Sequence, residues 1–161
     1  MEEVIKKAEE KGIDVIDVLL RELQKEDPEE SLKLRIHLAD KFLSEAKSYL
    51  EKNDIVQASE KGYNAGEEIV KALSEKYKTR EYEQYTKEGR WYTYSLFSSA
   101  ISLSKVLGDW VLDGWRNAYD LHVWGFHEGK LDVEKVKYLL GKVEEFVNKV
   151  KSVLKVEGLS K

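Results

Sequence analysis

The segment Trp115-Arg116-Asn117-Ala118-Tyr119-Asp120-Leu121-His122 gathers three side chains that could act on a phosphate. A histidine titrates near neutral pH and can shuttle a proton. A guanidinium such as that of Arg116 stabilises charge building on phosphoryl oxygens, and the Asn117 carboxamide can orient either group. Arg116, His122 and Asn117 are therefore the catalytic candidates. Six steps along a regular helix leave Arg116 and His122 roughly 120° apart. His122 then shares a face with Trp115, Ala118, Tyr119 and Phe126, while Arg116 looks toward Asp120 one turn on. The plainer alternative is a histidine hydrogen-bonded in a core or dimer seam and an arginine paired in solvent. That alternative ranks first.

His127 and Glu128 sit between Gly125 and Gly129 and could join His122 as metal ligands. Without an HExxH pattern or any cysteine, no metal is expected, and His127 is kept as a ligand-binding candidate. No Gly-rich phosphate loop or dinucleotide fingerprint occurs, so no cofactor is expected either. The stretch 76–92 interleaves basic and aromatic residues, a way to hold phosphates and stack bases. Its ligand-binding candidates are Lys78, Arg80, Arg90, Trp91 and Tyr92, with most of the charge offset by Glu75, Glu81, Glu83 and Glu88. A solvated linker with its rings folded back on the protein is the stronger alternative. Ser95, Ser98, Ser99, Ser102 and Ser104 lack a base and a nucleophile elbow, and serve close packing. Glu60 and Glu67 share a helix face and could pair as carboxylates, but a solvated face with Lys61 and Lys71 is the simpler expectation. His37, with no partner motif, is structural.

These residues must be held by a scaffold, and composition says which kind. At 161 residues with 42% hydrophobic content, the chain can bury one core and roughly two-thirds of its unfolded surface. A net charge of −4 gives no global attraction to nucleic acid, so such binding needs a local patch. The absence of cysteine suits a reducing cytoplasm, and cytoplasmic location is the expectation. No signal-peptide core and no apolar run of membrane-spanning length is present. Abundant Lys and Glu lean toward a thermophilic source.

Helical periodicity dominates. Residues 2–11 form a short charged helix ending at Gly12, and Asp14 caps a second one. Asp27-Pro28 opens a third that runs to about Lys52. Asp54 caps a central helix over 54–77 whose inner face is Ile55, Ala58, Gly62, Ala65, Ile69 and Ala72. Gly62 and Gly66 each cost about 1 kcal/mol inside a helix. A close partner should recover this, and Trp110, Trp115, Trp124 and Phe126 are expected to supply it. The opposite face, with Gln57, Glu60, Asn64, Glu67, Lys71 and Glu75, is expected in solvent, Glu67 pairing with Lys71. A short helix lies within 76–92, and further helices cover 91–107, 109–127 and 132–154, while Gly158 to Lys161 fray. The fold is all-α: an antiparallel bundle of about five to seven helices in one domain over 1–161. Residues 1–25 hold the short N-terminal helices and 28–156 the bundle.

The string EAKSYLEKNDIVQASEKGYNAGEEIVKAL at Glu45–Leu73 resembles the signature of the archaeal PaREP family, first type, as does AYDLHVWGFHEGKLD at Ala118–Asp132. That family is grouped with the HEPN superfamily of helical bundles, so the resemblance implies a HEPN-like fold, often dimeric. It also implies company with nucleotidyltransferases or toxin–antitoxin systems. Many HEPN proteins are metal-independent ribonucleases carrying Arg-x(4–6)-His, in which a ribose 2′-OH attacks the adjacent phosphate. Arg116 and His122, with five residues between them, fit that spacing. The expected function is a HEPN-like module acting by binding or assembly as a homodimer, with RNA or a nucleotide as ligand. A metal-independent endoribonuclease and a purely structural dimerisation domain are the alternatives.

Overall fold

The computed structural model describes residues 1–156, so the predicted fraying at 158–161 lies outside the described residues. Helices α1 (Glu2–Glu10) and α2 (Val15–Glu26) precede the long hairpin of α3 (Pro28–Glu51) and α4 (Ile55–Tyr77). The chain continues through α5 (Arg80–Glu88), α6 (Thr93–Leu107) and α7 (Trp110–Asp120). It then enters a π-helix, Leu121–His127, before α8 (Val133–Leu154). Among the described residues there are thus eight α-helices and no strand, an all-α bundle slightly richer in helices than predicted. Gly89 (φ 82°) and Gly108 (φ 119°) end α5 and α6 and divide the chain between α4 and the π-helix, at the breaks the sequence predicts. Local chemistry sets the starts. Asp14, Asp27, Asp54 and Asp132 each accept the backbone N–H three residues on, a cap worth about 1 kcal/mol.

Helix α4 is the centre, packed on α3, α6, α7, α8 and the π-helix. Its small inner residues Ala58, Ala65 and Ala72 are completely buried. The partners of its glycines are not the predicted tryptophan rings. Gly62 is met by the methyl groups of Leu121 and Leu140, and Gly66 by Ala118, whose side chain occupies the space a Cβ on Gly66 would need. The axes approach too closely for rings between them. The rings go elsewhere: Trp115 packs beside Tyr63, Phe146 covers Gly114, and Trp124 is 48% exposed.

The predicted solvated face of α4 is corrected more sharply. Glu68, Lys71 and Glu75 are buried. Lys71 does not pair with Glu67; its Nζ donates to Asp17 of α2 at 3.0 Å and to Glu68 at 3.4 Å. Arg35 of α3, 1% exposed, donates from Nη1 to Asp17 and to Glu68, both at 2.8 Å. Tyr85 of α5 accepts from Arg35 Nη2 at 3.2 Å and donates to the Asp17 carbonyl. Burial alone would raise the Asp17 carboxyl, but Lys71 and Arg35 outweigh it and hold it below its ordinary value. Burial likewise works against the charges of Arg35 and Lys71, and Glu68 and Asp17 more than restore them. Two cations and two carboxylates thus close on themselves inside the bundle, fastening α2 to α3 and α4.

The serines of α6 do more than permit close packing. Ser99 links to Ser74 of α4 at 2.6 Å and to Thr79 at 2.9 Å, and Ser98 donates to Glu81 of α5 at 2.6 Å.

Candidate functional site

Glu60 of α4 and His122 of the π-helix meet at 2.8 Å, Oε1 to Nδ1. A carboxylate accepts, so Nδ1 of His122 carries a proton and donates to it. Nε2 of His122 lies 3.0 Å from Nε2 of His127, and one of the two carries the proton between them. The three side chains form a relay from His127 at the surface through His122 to Glu60. The Tyr63 ring stacks on His122 at 4.1 Å between centroids and fixes its plane. Tyr119 and Phe126 stand at 5.9 and 6.0 Å, so His122 has aromatic walls. The Tyr63 hydroxyl is buried beside Glu67 and Thr93, and burial first, then Glu67, pushes it up.

The π-helix makes this possible. In an α-helix, residues five apart point roughly 140° away from each other. Here the backbone closes i to i+5, as in Glu128 N–H to Val123 O at 2.8 Å, and His122 and His127 come onto one side. Gly125 lies against Ser59 of α4 with no room for a Cβ, so the wide turn sits directly on the central helix.

Arg116 is exposed on α7 and makes no hydrogen bond or salt bridge among the described residues, either to His122 or to Asp120. Its charge still pulls the Asp120 carboxyl down, against partial burial that pushes it up. Asn117 is half-buried. The bond geometry therefore joins His122 to Glu60 and His127, and leaves Arg116 and Asn117 outside the relay.

The basic stretch divides. Lys78 ends α4 and Arg80 begins α5, both exposed, roughly 27 Å along α4 from Glu60. Tyr82 and Tyr85 are buried, and Trp91 turns inward to stack on Tyr85 at 5.3 Å. Arg90 and Tyr92 stay outside, the guanidinium 4.7 Å from the ring centroid. They lead directly into Thr93, which touches the neighbourhood of Tyr63.

Glu60 is the member of the relay that helical spacing placed in solvent. Its signal was a polar side chain facing a segment distant in sequence, which periodicity does not register. Among the described residues no group of three side chains has metal-ligand geometry, and no helix is long and apolar enough to cross a membrane.

This arrangement defines an all-α bundle with an imidazole relay set on its central helix. The profile of the archaeal PaREP1/PaREP8 family matches residues 34–147. A crystal structure of a Sulfolobus solfataricus protein is similar at 34% identity, covering 72% of this chain and 95% of that one with a TM-score of 0.66. A solution structure of the same target gives 33% identity, 73% and 91% coverage and a TM-score of 0.63. No functionally curated protein matches. The chain belongs to the archaeal PaREP1/PaREP8 family. Helices α1 and α2, including Asp17, precede the matched segment, whereas Arg35, Glu68, Lys71, Glu60 and His122 fall within it.

Proposed function

We propose that this PaREP protein is a HEPN-type module that binds RNA or a nucleotide, as a homodimer, through the face formed by α7 and the π-helix. The observation that carries the reading is the surface around His122. A half-buried imidazole fixed by Glu60 and His127 lies among Tyr119 and Phe126, and the Tyr119 ring is exposed. An exposed ring next to an imidazole suits unstacked bases and their phosphates, and Arg116 adds a free positive charge on the same helical segment. Arg90 and Tyr92 extend the surface past Thr93.

Fluorescence anisotropy with a labelled single-stranded RNA tests this at low salt. Binding should weaken as salt rises and fall about tenfold in Tyr119→Ala, in keeping with the loss of one stacked base. No affinity at low salt ends the reading. Sedimentation tests the assembly, and a strict monomer removes the homodimer.

The relay itself favours a second reading, a metal-independent endoribonuclease. His127 would take the 2′-OH proton as that oxygen attacks phosphorus and pass charge inward to His122 and Glu60, with Arg116 meeting the phosphoryl oxygens; the P–O5′ bond would break and the relay would return the proton to the leaving 5′ oxygen. RNA cleaved in EDTA to 2′,3′-cyclic phosphate ends, and spared by the Arg116→Ala, His122→Ala protein, would establish it.

A further inference from the structure

Beneath the N-terminal pair, a cavity of about 640 Å³, open to solvent on one side, separates α1, the turn after it and the start of α2 from α4. Its walls are apolar, with Ile5, Ile13 and Ile16 on one side and Phe42 on the other, and its floor carries Asn64 and Glu67. That volume suits a small organic molecule, and a few convergent polar groups in an apolar pocket are what orient one.

The charge balance says which kind. Lys71 also reaches the cavity, but it is held by Asp17 and Glu68, and Glu68 by Arg35, so that network is neutral by itself. Glu67 is left without a salt bridge, with Glu9 and Asp14 at the rim adding negative charge and no unpaired cation in the lining. Its carboxyl is pushed up to about 7, by burial first and then by Glu68, Asp17 and Glu60, with Lys71 opposing. The floor therefore holds a carboxyl whose one opposing cation, Lys71, is already bonded to Asp17 and Glu68, beside an apolar wall.

We propose that this cavity binds a small aliphatic amine, its ammonium group on Glu67 and Asn64 and its hydrocarbon chain against Ile5, Ile13, Ile16 and Phe42. An alcohol would keep the apolar contacts and forfeit the charge, and a carboxylate would be repelled. Below about pH 7 the incoming ammonium displaces the Glu67 proton, so binding at pH 6 releases a proton and binding at pH 8 does not. The groups facing Glu67 in this titration are Lys71, Glu68, Glu60 and Tyr63 on α4, Asp17 and the Asp14 cap of α2, and Glu9 on α1. The inference stands apart from the RNA reading, which uses other residues.

Isothermal titration of the full chain with n-hexylamine, n-hexanol and hexanoate decides the matter. Hexylamine should bind at least tenfold more tightly than hexanol, with no saturable binding of hexanoate. Repeating the pH 6 titration in two buffers of different ionisation enthalpy should reveal proton release. Glu67→Gln should lower amine affinity about tenfold, leave hexanol unchanged and abolish the proton release. Ile5→Trp, on a helix that buries no residue, should fill the space and weaken amine and alcohol alike. Equal affinity for hexylamine and hexanol, an amine preference that survives Glu67→Gln, or binding indifferent to Ile5→Trp overturns the proposal.

Discussion

Glu60 and His122, 62 positions apart in the chain, share a hydrogen bond of 2.8 Å that sets which imidazole nitrogen carries the proton. Removing the carboxylate should release that choice. In Glu60→Ala, long-range ¹⁵N correlation spectra should show the Nδ1–H tautomer of His122 giving way to Nε2–H. An unchanged tautomer would mean that the Tyr63 stack and His127 hold the ring alone.

The closed network around Arg35 predicts a large and asymmetric cost. Arg35→Met leaves Asp17 and Glu68 buried with Lys71 as the one cation they share, and about 3–5 kcal/mol of stability should be lost in urea denaturation. The Asp17 carboxyl lies below its ordinary value of 3.8 in the folded chain. Its contribution is therefore present above pH 3.8 and lost as pH falls. Asp17→Asn should destabilise at pH 7, and the difference should shrink as pH is lowered below 3.8.

Glu67 gives the opposite sign. Its folded value of about 7 lies above the ordinary 4.5, so over that interval the folded chain keeps a proton the unfolded chain has released. Its contribution to stability falls as pH rises from 4.5 to 7. Glu67→Gln should be more stable than the parent by about 2 kcal/mol at pH 8 and equal to it at pH 4, as read by denaturation midpoints at the two pH values.

How far this was legible in the sequence depends on the kind of interaction. The helices were readable because their signals are local: Asp14, Asp27, Asp54 and Asp132 each announce a start, and each caps one. The enclosure of α4 was readable from Ala and Gly at helical spacing. What covers it was not, because two helices meeting at Gly66 and Ala118 leave no space for rings, and only their separation reveals that. Arg35 had a signal that went unused: it stands three residues after Leu32 and four before Ala39, on the apolar face of α3. A charge there must find partners inside. Asp17 could not be named as one, since it belongs to another helix. His122 and His127 came together in the sequence only as metal-ligand candidates, and their hydrogen bond was not legible because a spacing of five is out of phase with the α-helix.

Two glycine substitutions should move stability in opposite directions. Gly66→Ala places a methyl group into the Ala118 side chain and should cost about 1–3 kcal/mol. Gly141→Ala, on the exposed side of α8 with nothing within 4 Å, should gain about 1 kcal/mol. Thermal melts of the two proteins check both signs.

The wide turn at Leu121–His127 is one residue longer than an α-helical turn closing the same span. Excising a single residue there would restore ordinary winding, so that side chains five apart again point roughly 140° away from each other. His127 would swing off the imidazole beneath it, while the two changes, one residue fewer and a tighter turn, nearly cancel for the chain beyond. The extra residue thus belongs to the proton path alone, and the last helix would keep its seat without it.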